Sequence, residues 1–326
     1  MNLSELGEFG LIDRIAARIA HSPGVTIGVG DDAAAVAPTP GHLTLVTTDM
    51  LIEGIHFDLS FTSAAELGRK SLAVNLSDIA AMGGKPRHAL LSLALPRSLT
   101  VEFLDDFIDG LLGLAAEYDV ALIGGDTCAS PGGLVISLTV MGEQLPERVV
   151  RRDGARPGDL VFVTGTLGDA ALGLELLKAG VLRGEGVARQ LNPPPRVREG
   201  LALAATGLPT AMIDVSDGLL ADLGHILRLS GAGARLELDK IPRSDFLRSH
   251  TAATSDPFSL SLSGGEDYEL LFTAPPTAAA AIQSLLAALG TPVTLIGEIT
   301  SSPGIRTISV DGNDYQPRKN GYNHFQ

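Results

Sequence analysis

In SLAVNLSDIAAMGGK (71–85), Leu72, Leu76, Ile79 and Ala80 recur at helical spacing and define one apolar face. The pattern predicts the second half of a helix that Ser63 caps and Gly83 ends. Ser71, Asn75 and Asp78 recur at i, i+4 and i+7 as a second stripe. These are three short polar side chains where a solvated face would carry Lys and Glu. An ionised Asp in such apolar company is costly without a partner. Neighbouring backbone or a metal ion would supply one.

The same reading divides the rest of the chain. The first twenty residues form an amphipathic helix carrying acids, and VTIGVGDDAAAVA is a short apolar run that reaches Gly30-Asp31-Asp32. A strand over 43–46 runs into Thr47-Thr48-Asp49 and then His56, and HALLSLALP is another strand. Thr100 caps a helix with Leu104, Ile108, Leu111 and Ala115 on one face, closed at Tyr118. A strand over 120–123 ends in Gly124-Gly125-Asp126-Thr127, and LVISLTVMGEQ alternates as a strand does. The turn-rich, charged PERVVRRDGARPGD, with Arg151 and Arg152, marks a boundary.

Beyond it come strand LVFVTG, a helix over 167–179, the rigid linker NPPPR, and strand TAMID leading into Val215-Ser216-Asp217-Gly218. A helix then extends to Ser230, with Gly231 beyond it. Strands near ARLEL and DYELLFTA, a helix over 277–289, and strands VTLIGEI and IRTISV complete the half, and DYQPRKNGYNHF reads as a covering tail. We expect two α/β domains, 1–148 and 149–326.

Composition fits that division, because 326 residues exceed a usual single core and 45% are hydrophobic. One cysteine, Cys128, rules out an internal disulfide framework and suits a reducing compartment. No apolar run approaches the ~18 residues of a membrane span, and the acidic first helix is no signal peptide. The expected setting is cytoplasmic, with no membrane partner. A net charge of −14 argues against nucleic acid. An acidic site still binds phosphorylated small molecules when divalent cations lie between, and Mg²⁺ takes oxygen ligands.

Asp31/Asp32, Asp49, Asp126 and Asp214/Asp217 each follow an apolar strand-like run, and Asp78 lies on a helix. Ligands of open α/β sheets bind beyond the strands' carboxyl ends, so these acids are expected to converge there around a shared cation. A single such Asp is more simply a cap or turn residue. The seven histidines form no HExxH site, and no GxSxG elbow or kinase catalytic loop is present. TGTLGDAALG lacks the GK[ST] ending of a triphosphate cradle. Gly264-Gly265-Glu266-Asp267 reads equally as a solvated turn or as a site.

Taken together, GEFGLI, GVGDDAA, TTDMLIEGIHF, RKSLAVNLSDIAAMGG, YDVALIGGDT, GARPGD, IDVSDGL, LSGGEDYEL and GYNHF resemble the thiamine-monophosphate kinase family, relatives of aminoimidazole ribonucleotide synthetase and selenophosphate synthetase. The resemblance implies a two-domain aminoimidazole ribonucleotide synthetase-like α/β (α+β) fold. It also implies a homodimer through the N-terminal domains with ATP at that interface, and phosphorylation of thiamine phosphate to thiamine diphosphate. The implied Mg²⁺ ligands are Asp32, Thr47, Thr48, Asp49, Asp78, Asp126, Asp214 and Asp217. The implied ATP contacts are Tyr118, Gly125, Asp126, Arg152 and Ser216, and the implied thiamine phosphate contacts are His56, Glu266 and Tyr322. Asp49, Asp78, Asp126 and Arg152 would carry catalysis, Arg152 through its planar fork for phosphate oxygens. Cys128 departs from the Thr or Ser usual after GGDT. The first hundred residues hold no Cys, unlike a selenophosphate synthetase, and Gln326 stands where hydrogenase-maturation relatives end in Cys. Two other readings stay open, an ATP-dependent cyclisation and a catalytically silent nucleotide-binding partner. The number of aspartates speaks against silence.

Overall fold

The computed structural model describes residues 3–19, 22, 24–30, 32–319, 321 and 322. Its contacts group into two compact units, Met1–Ile79 with Lys85–Pro146, and Ala80–Gly84 with Glu147–Gln326. Among the described residues no helix is long and apolar enough to cross a membrane.

The first unit runs α1 (Leu3–Ala16), β1 (Val25–Ile27), β2 (Ala35–Val36), β3 (Leu43–Ile52), α2 (Ala64–Ala81), β4 (Lys85–Pro96), α3 (Val101–Glu117), β5 (Ala121–Ser130) and β6 (Val135–Gln144). Ser63 and Glu66 form a capping box at the start of α2: the Glu66 N–H donates to Ser63 Oγ at 3.3 Å and the Ser63 N–H to Glu66 Oε2 at 3.1 Å. Thr100 caps α3 by accepting the Phe103 N–H at 3.2 Å. The two helices meet where neither has a side chain. A Cβ on Gly68 would fall 1.9 Å from the Phe107 carbonyl oxygen, and one on Gly110 2.0 Å from that of Ala65.

Strand order in this sheet is β3-β6-β4-β5, with only β4 and β5 parallel. Leu72, Leu76 and Ile79 of α2 and Leu104, Ile108 and Leu111 of α3 are buried, as are Leu91, Leu93, Ile136 and Leu138 of the strands. The other sheet face keeps Val46 64% and Met50 55% exposed.

The second unit runs β7 (Leu160–Thr164), α4 (Asp169–Lys178), α5 (Glu185–Leu191), α6 (Val197–Thr206), β8 (Ala211–Asp214), α7 (Leu219–Ser230), β9 (Gly233–Glu237), α8 (Asp245–Thr251), α9 (Ser259–Ser263), β10 (Leu270–Ala274), α10 (Ala279–Ala288), β11 (Val293–Thr300), β12 (Gly304–Ile308) and β13 (Asp314–Tyr315). The sheet order is β13-β12-β9-β11-β7-β10-β8, and only β9 and β12 pair in parallel. Strands β8 and β10 are buried at every position, so helices cover both faces of this part of the sheet. Val161, Val163, Ile213 and Leu271 form one core with Leu219, Leu223 and Ile226 of α7. Phe162 and Phe272 stack at 5.4 Å between centroids.

Two expectations about strands need correction. Strand β3 continues through Thr47-Thr48-Asp49 to Ile52, paired with β6 in unbroken register, and β5 continues through Asp126 to Ser130. Asp49 and Asp126 are therefore mid-strand residues. The reason is pairing: the whole length of β3 finds backbone partners on β6, and the open face tolerates Thr48 and Asp126, whereas Asp49 stays in the strand although it projects toward the helices. Because both sheets are mainly antiparallel, strand ends do not all point to one side, and the rule for open parallel sheets does not apply here.

Candidate active site

In the first unit, alternation along β3 turns Leu45, Thr47, Asp49 and Leu51 toward the helices. Thr47 Oγ1 donates to Asp78 Oδ2 of α2 at 2.5 Å. Burial first, and the charge of Asp78 second, push the Asp49 carboxyl up to about 6. The stripe on α2 thus splits by role. Ser71 Oγ and Asn75 Nδ2 satisfy backbone carbonyls of Leu67 and Ser71 in their own helix, at 2.7 and 3.1 Å. Asp78 alone reaches across to β3. Thr48, on the opposite face, bonds the Leu138 carbonyl at 3.3 Å and accepts from Thr139 Oγ1 at 3.0 Å.

Asp126 does not join this group within the unit. It lies on β5, at the other edge of the sheet, and is exposed. Gly125 beside it is dictated by close approach, since a Cβ would fall 1.7 Å from the Leu91 carbonyl oxygen. Asp32 is exposed, and Asp31 lies outside the described residues. His56 follows β3, where its Nδ1 accepts the Ile52 N–H at 3.0 Å, which leaves the neutral ring's proton on Nε2. Tyr118 caps α3 at its C-terminus, its N–H donating to the Ala115 carbonyl. Among the described residues no three His, Cys, Asp or Glu side chains gather closely enough to hold a metal ion by themselves. Two facing carboxylates that repel one another are nonetheless a donor set suited to a hard divalent cation completed by water and phosphate oxygens.

The second unit brings three segments together. Asp214 ends β8 and is buried, and the turn after it carries Ser216 and Asp217. Asp222 of α7, which sequence reasoning missed, accepts the N–H groups of Ser216, Asp217 and Gly218 on its Oδ2 at 3.0, 3.1 and 3.1 Å. Burial, and then Asp217, push Asp222 up to about 7 against those three bonds, which favour its anion. The 264–269 loop lies alongside: the Glu266 N–H donates to Ser216 O and the Tyr268 N–H to Val215 O, both at 2.8 Å. Its backbone is strained, with Glu266 at φ 68° and Tyr268 at φ 51°. Asp267 is buried and accepts the Gly168 N–H at 2.8 Å. The third segment is the tail, where the Tyr322 N–H donates to the Asp217 carbonyl at 3.0 Å and the ring is 52% exposed. Asn323 to Phe325 of the tail motif lie outside the described residues.

Arg152 is exposed, and its carbonyl accepts from Ser230 Oγ at 3.2 Å. Among the described residues it makes no ion pair, whereas Arg151 is engaged by Asp153 at 2.9 Å.

The chain matches the AIR synthase related protein, N-terminal domain, over residues 30–144 and the corresponding C-terminal domain over residues 156–309. It is 40% identical to the thiamine-monophosphate kinase of Salmonella typhimurium over 326 residues, covering 98% of each chain. It is 36% identical to that of Bacillus subtilis over 330 residues, covering 98% of this chain and 100% of the other. Among solved structures it is similar to thiamine-monophosphate kinase from Stenotrophomonas maltophilia, with a TM-score of 0.84, 41% identity, and coverage of 97% of this chain and 99% of that one. It is also similar to AaThiL complexed with AMPPCP and TMP, with a TM-score of 0.77, 34% identity, and coverage of 100% and 99%.

Proposed function

The chain belongs to the thiamine-monophosphate kinase family of AIR synthase related proteins, and on that premise we infer that it transfers the γ-phosphoryl group of ATP to thiamine phosphate, giving thiamine diphosphate. The observation that carries the reading is the Thr47–Asp49–Asp78 cluster, a pair of repelling carboxylates built into a chain similar to these kinases from end to end. Such a pair is unfavourable in a purely structural role.

Asp49 and Asp78, with Thr47, would hold Mg²⁺ on the first unit, and Asp214 and Asp217 would hold it on the second. Asp32, Thr48 and Asp126 would hold further Mg²⁺ ions, several being proposed, since Thr48 and Asp126 lie on the sheet face opposite Asp49. Mg²⁺, when bound, would offset the charge of the polyphosphate. Arg152 would grip phosphate oxygens with its fork, and Tyr118, Gly125 and Ser216 would lie along the nucleotide. Glu266, Tyr322 and His56 would hold the acceptor. Its terminal phosphate is already ionised, so the nucleophile needs no general base, and the chain's contribution is alignment and charge. We propose direct in-line transfer in a homodimer, supported by the uncovered apolar positions on the first sheet.

ATP consumption with thiamine phosphate, thiamine and formylglycinamidine ribonucleotide as alternative acceptors tests the reading. Turnover is expected with the first alone. Use of the third in its place would assign the cyclisation. Chiral γ-phosphate should emerge inverted, and retention would exclude a single displacement.

A further inference from the structure

Gln190 of α5 is only 4% exposed, yet half of its amide is unused. Its Nε2 donates to Glu266 Oε2, while its Oε1 is buried with no hydrogen-bond partner. Flipping the amide would set an acceptor oxygen against the carboxylate, so the orphan is the acceptor. A buried acceptor left unpaired costs roughly 1–3 kcal/mol, which a donor arriving with a ligand would recover.

The partner of Gln190 is held in place independently. Glu266 adopts its left-handed conformation while its N–H bonds Ser216. Asp267 beside it is tied to Gly168, and Glu269 to Arg196 at 2.6 Å. Strain of this kind persists only where the surroundings over-determine it, as these ties do. The result is a preset pair of a carboxylate and, next to it, an acceptor oxygen lacking a donor.

We propose that Gln190 is a further specificity-determining residue, its Oε1 accepting a hydrogen bond from the exocyclic amine of the acceptor's aminopyrimidine. The proposal rests on the reading that Glu266 contacts the acceptor. The pair selects a ligand that carries both an N–H donor and positive charge, and repels one presenting only acceptors. An aminopyrimidine joined to a thiazolium meets both conditions. An analogue with oxygen in place of the amine would face Oε1 with a second acceptor.

The test compares kcat/KM for thiamine phosphate and its 4-oxo analogue in four proteins: the unaltered protein, Gln190→Met, Gln190→Asn and Glu266→Gln, with KM for ATP measured beside each. Met keeps the length without polar atoms, and Asn withdraws the oxygen by one methylene, so either variant that folds gives an answer. The unaltered protein should prefer the amine by roughly tenfold or more, the value of one such bond. Both Gln190 variants should lose most of that preference, with KM for ATP held within a few-fold. A preference that survives in them, or parallel loss with both acceptors, overturns the proposal. Glu266→Gln separates the two levels. If it raises KM for the acceptor while the Gln190 variants keep the preference, only the role of Gln190 fails. If it leaves that KM unchanged, the reading of Glu266 fails as well.

Discussion

Asp49 and Asp126 stand at opposite edges of one four-stranded sheet and on its opposite faces. Asp49 pairs through Leu138 and Leu91 to Gly125, so Asp126 falls one residue out of that row. Three strand spacings of ~4.8 Å separate the edges by roughly 14 Å, beyond the reach of any shared ion. A site using both carboxylates around one polyphosphate therefore needs more than this unit of one chain.

The homodimer proposed above would supply it, and Val46 and Met50, which face outward from the same sheet, are the positions it would cover. Burying what Val46 and Met50 still expose, 64% and 55%, contributes about 2–4 kcal/mol per chain. Val46→Asp and Met50→Lys should therefore weaken the dimer by at least ~tenfold, a difference of about 1.4 kcal/mol, and lower activity at dilute protein while each chain stays folded. Sedimentation with parallel assays checks this. Full activity in a monomer would remove the dimer from the mechanism.

Asp49 ties the stability of the fold to pH with a definite sign. Its carboxyl titrates near 6 in the folded chain, above the ~3.9 of an unfolded Asp. The fold thus favours the neutral acid, and the stability this group lends is lost as pH rises from about 4 to 6. Without divalent cations, Asp49→Asn should be more stable than the unaltered chain at pH 8, by on the order of 1 kcal/mol after solvent screening. The gap should close near pH 4, and turnover should fall sharply. Denaturation curves in chelator at the two pH values decide it, and an equal stability at pH 8 would show that the pair carries no strain.

Some of this was legible in the sequence, for identifiable reasons. Helix α3 shows its cap, its apolar face and its end within one continuous stretch, and the structure closes it at Thr100 and Tyr118 as read. Strands β3 and β5 read too short, because Thr47, Thr48 and Asp126 look like turn residues until β6 and β4 are seen beside them. Helices α5 and α6 flank NPPPR, whose prolines overwhelm the short periodic runs on either side. Of the candidate site, the aspartates stood out through repetition. Gln190 gave no signal, because its partner Glu266 is 76 residues away. Asp222 left one faint trace, as an acid in the first turn of a helix that follows an Asp-Gly turn.

Two substitutions would separate the proposed acceptor pocket from the proposed nucleotide site. A thiazolium is a cation, and an exposed aromatic face beside the Asp217 turn offers it a quadrupole. Tyr322→Ala and Glu266→Gln should each lower kcat/KM for thiamine phosphate fivefold to tenfold, roughly 1 kcal/mol, with KM for ATP within a few-fold. Equal losses for both substrates would move these residues out of the acceptor pocket.

The 264–269 loop is held at its end by a buried ion pair. Glu269 is 1% exposed, and the Arg196 fork binds both its oxygens at 2.6 Å while Thr164 Oγ1 donates at 2.6 Å. Arg196 also reaches Glu199 at 3.3 Å, and the Glu269 carbonyl accepts the Val215 N–H at 2.8 Å, joining the network to the turn that bears Ser216. Removing Arg196 leaves the buried carboxylate only the more distant, part-exposed Arg189 at 3.8 Å, so Arg196→Met should cost about 3 kcal/mol, the lower end for a broken buried pair. Removing both charges is a different experiment. A buried pair replaced by uncharged groups of similar volume is often neutral, so Arg196→Met with Glu269→Gln should regain most of the loss. The double variant would still misplace the loop, since Gln cannot be clamped at both ends, and its KM for thiamine phosphate should rise more than its KM for ATP. Chemical denaturation of the two single variants and the double gives the coupling energy. A double variant no more stable than Arg196→Met would mean that the stranded charge is not the cause.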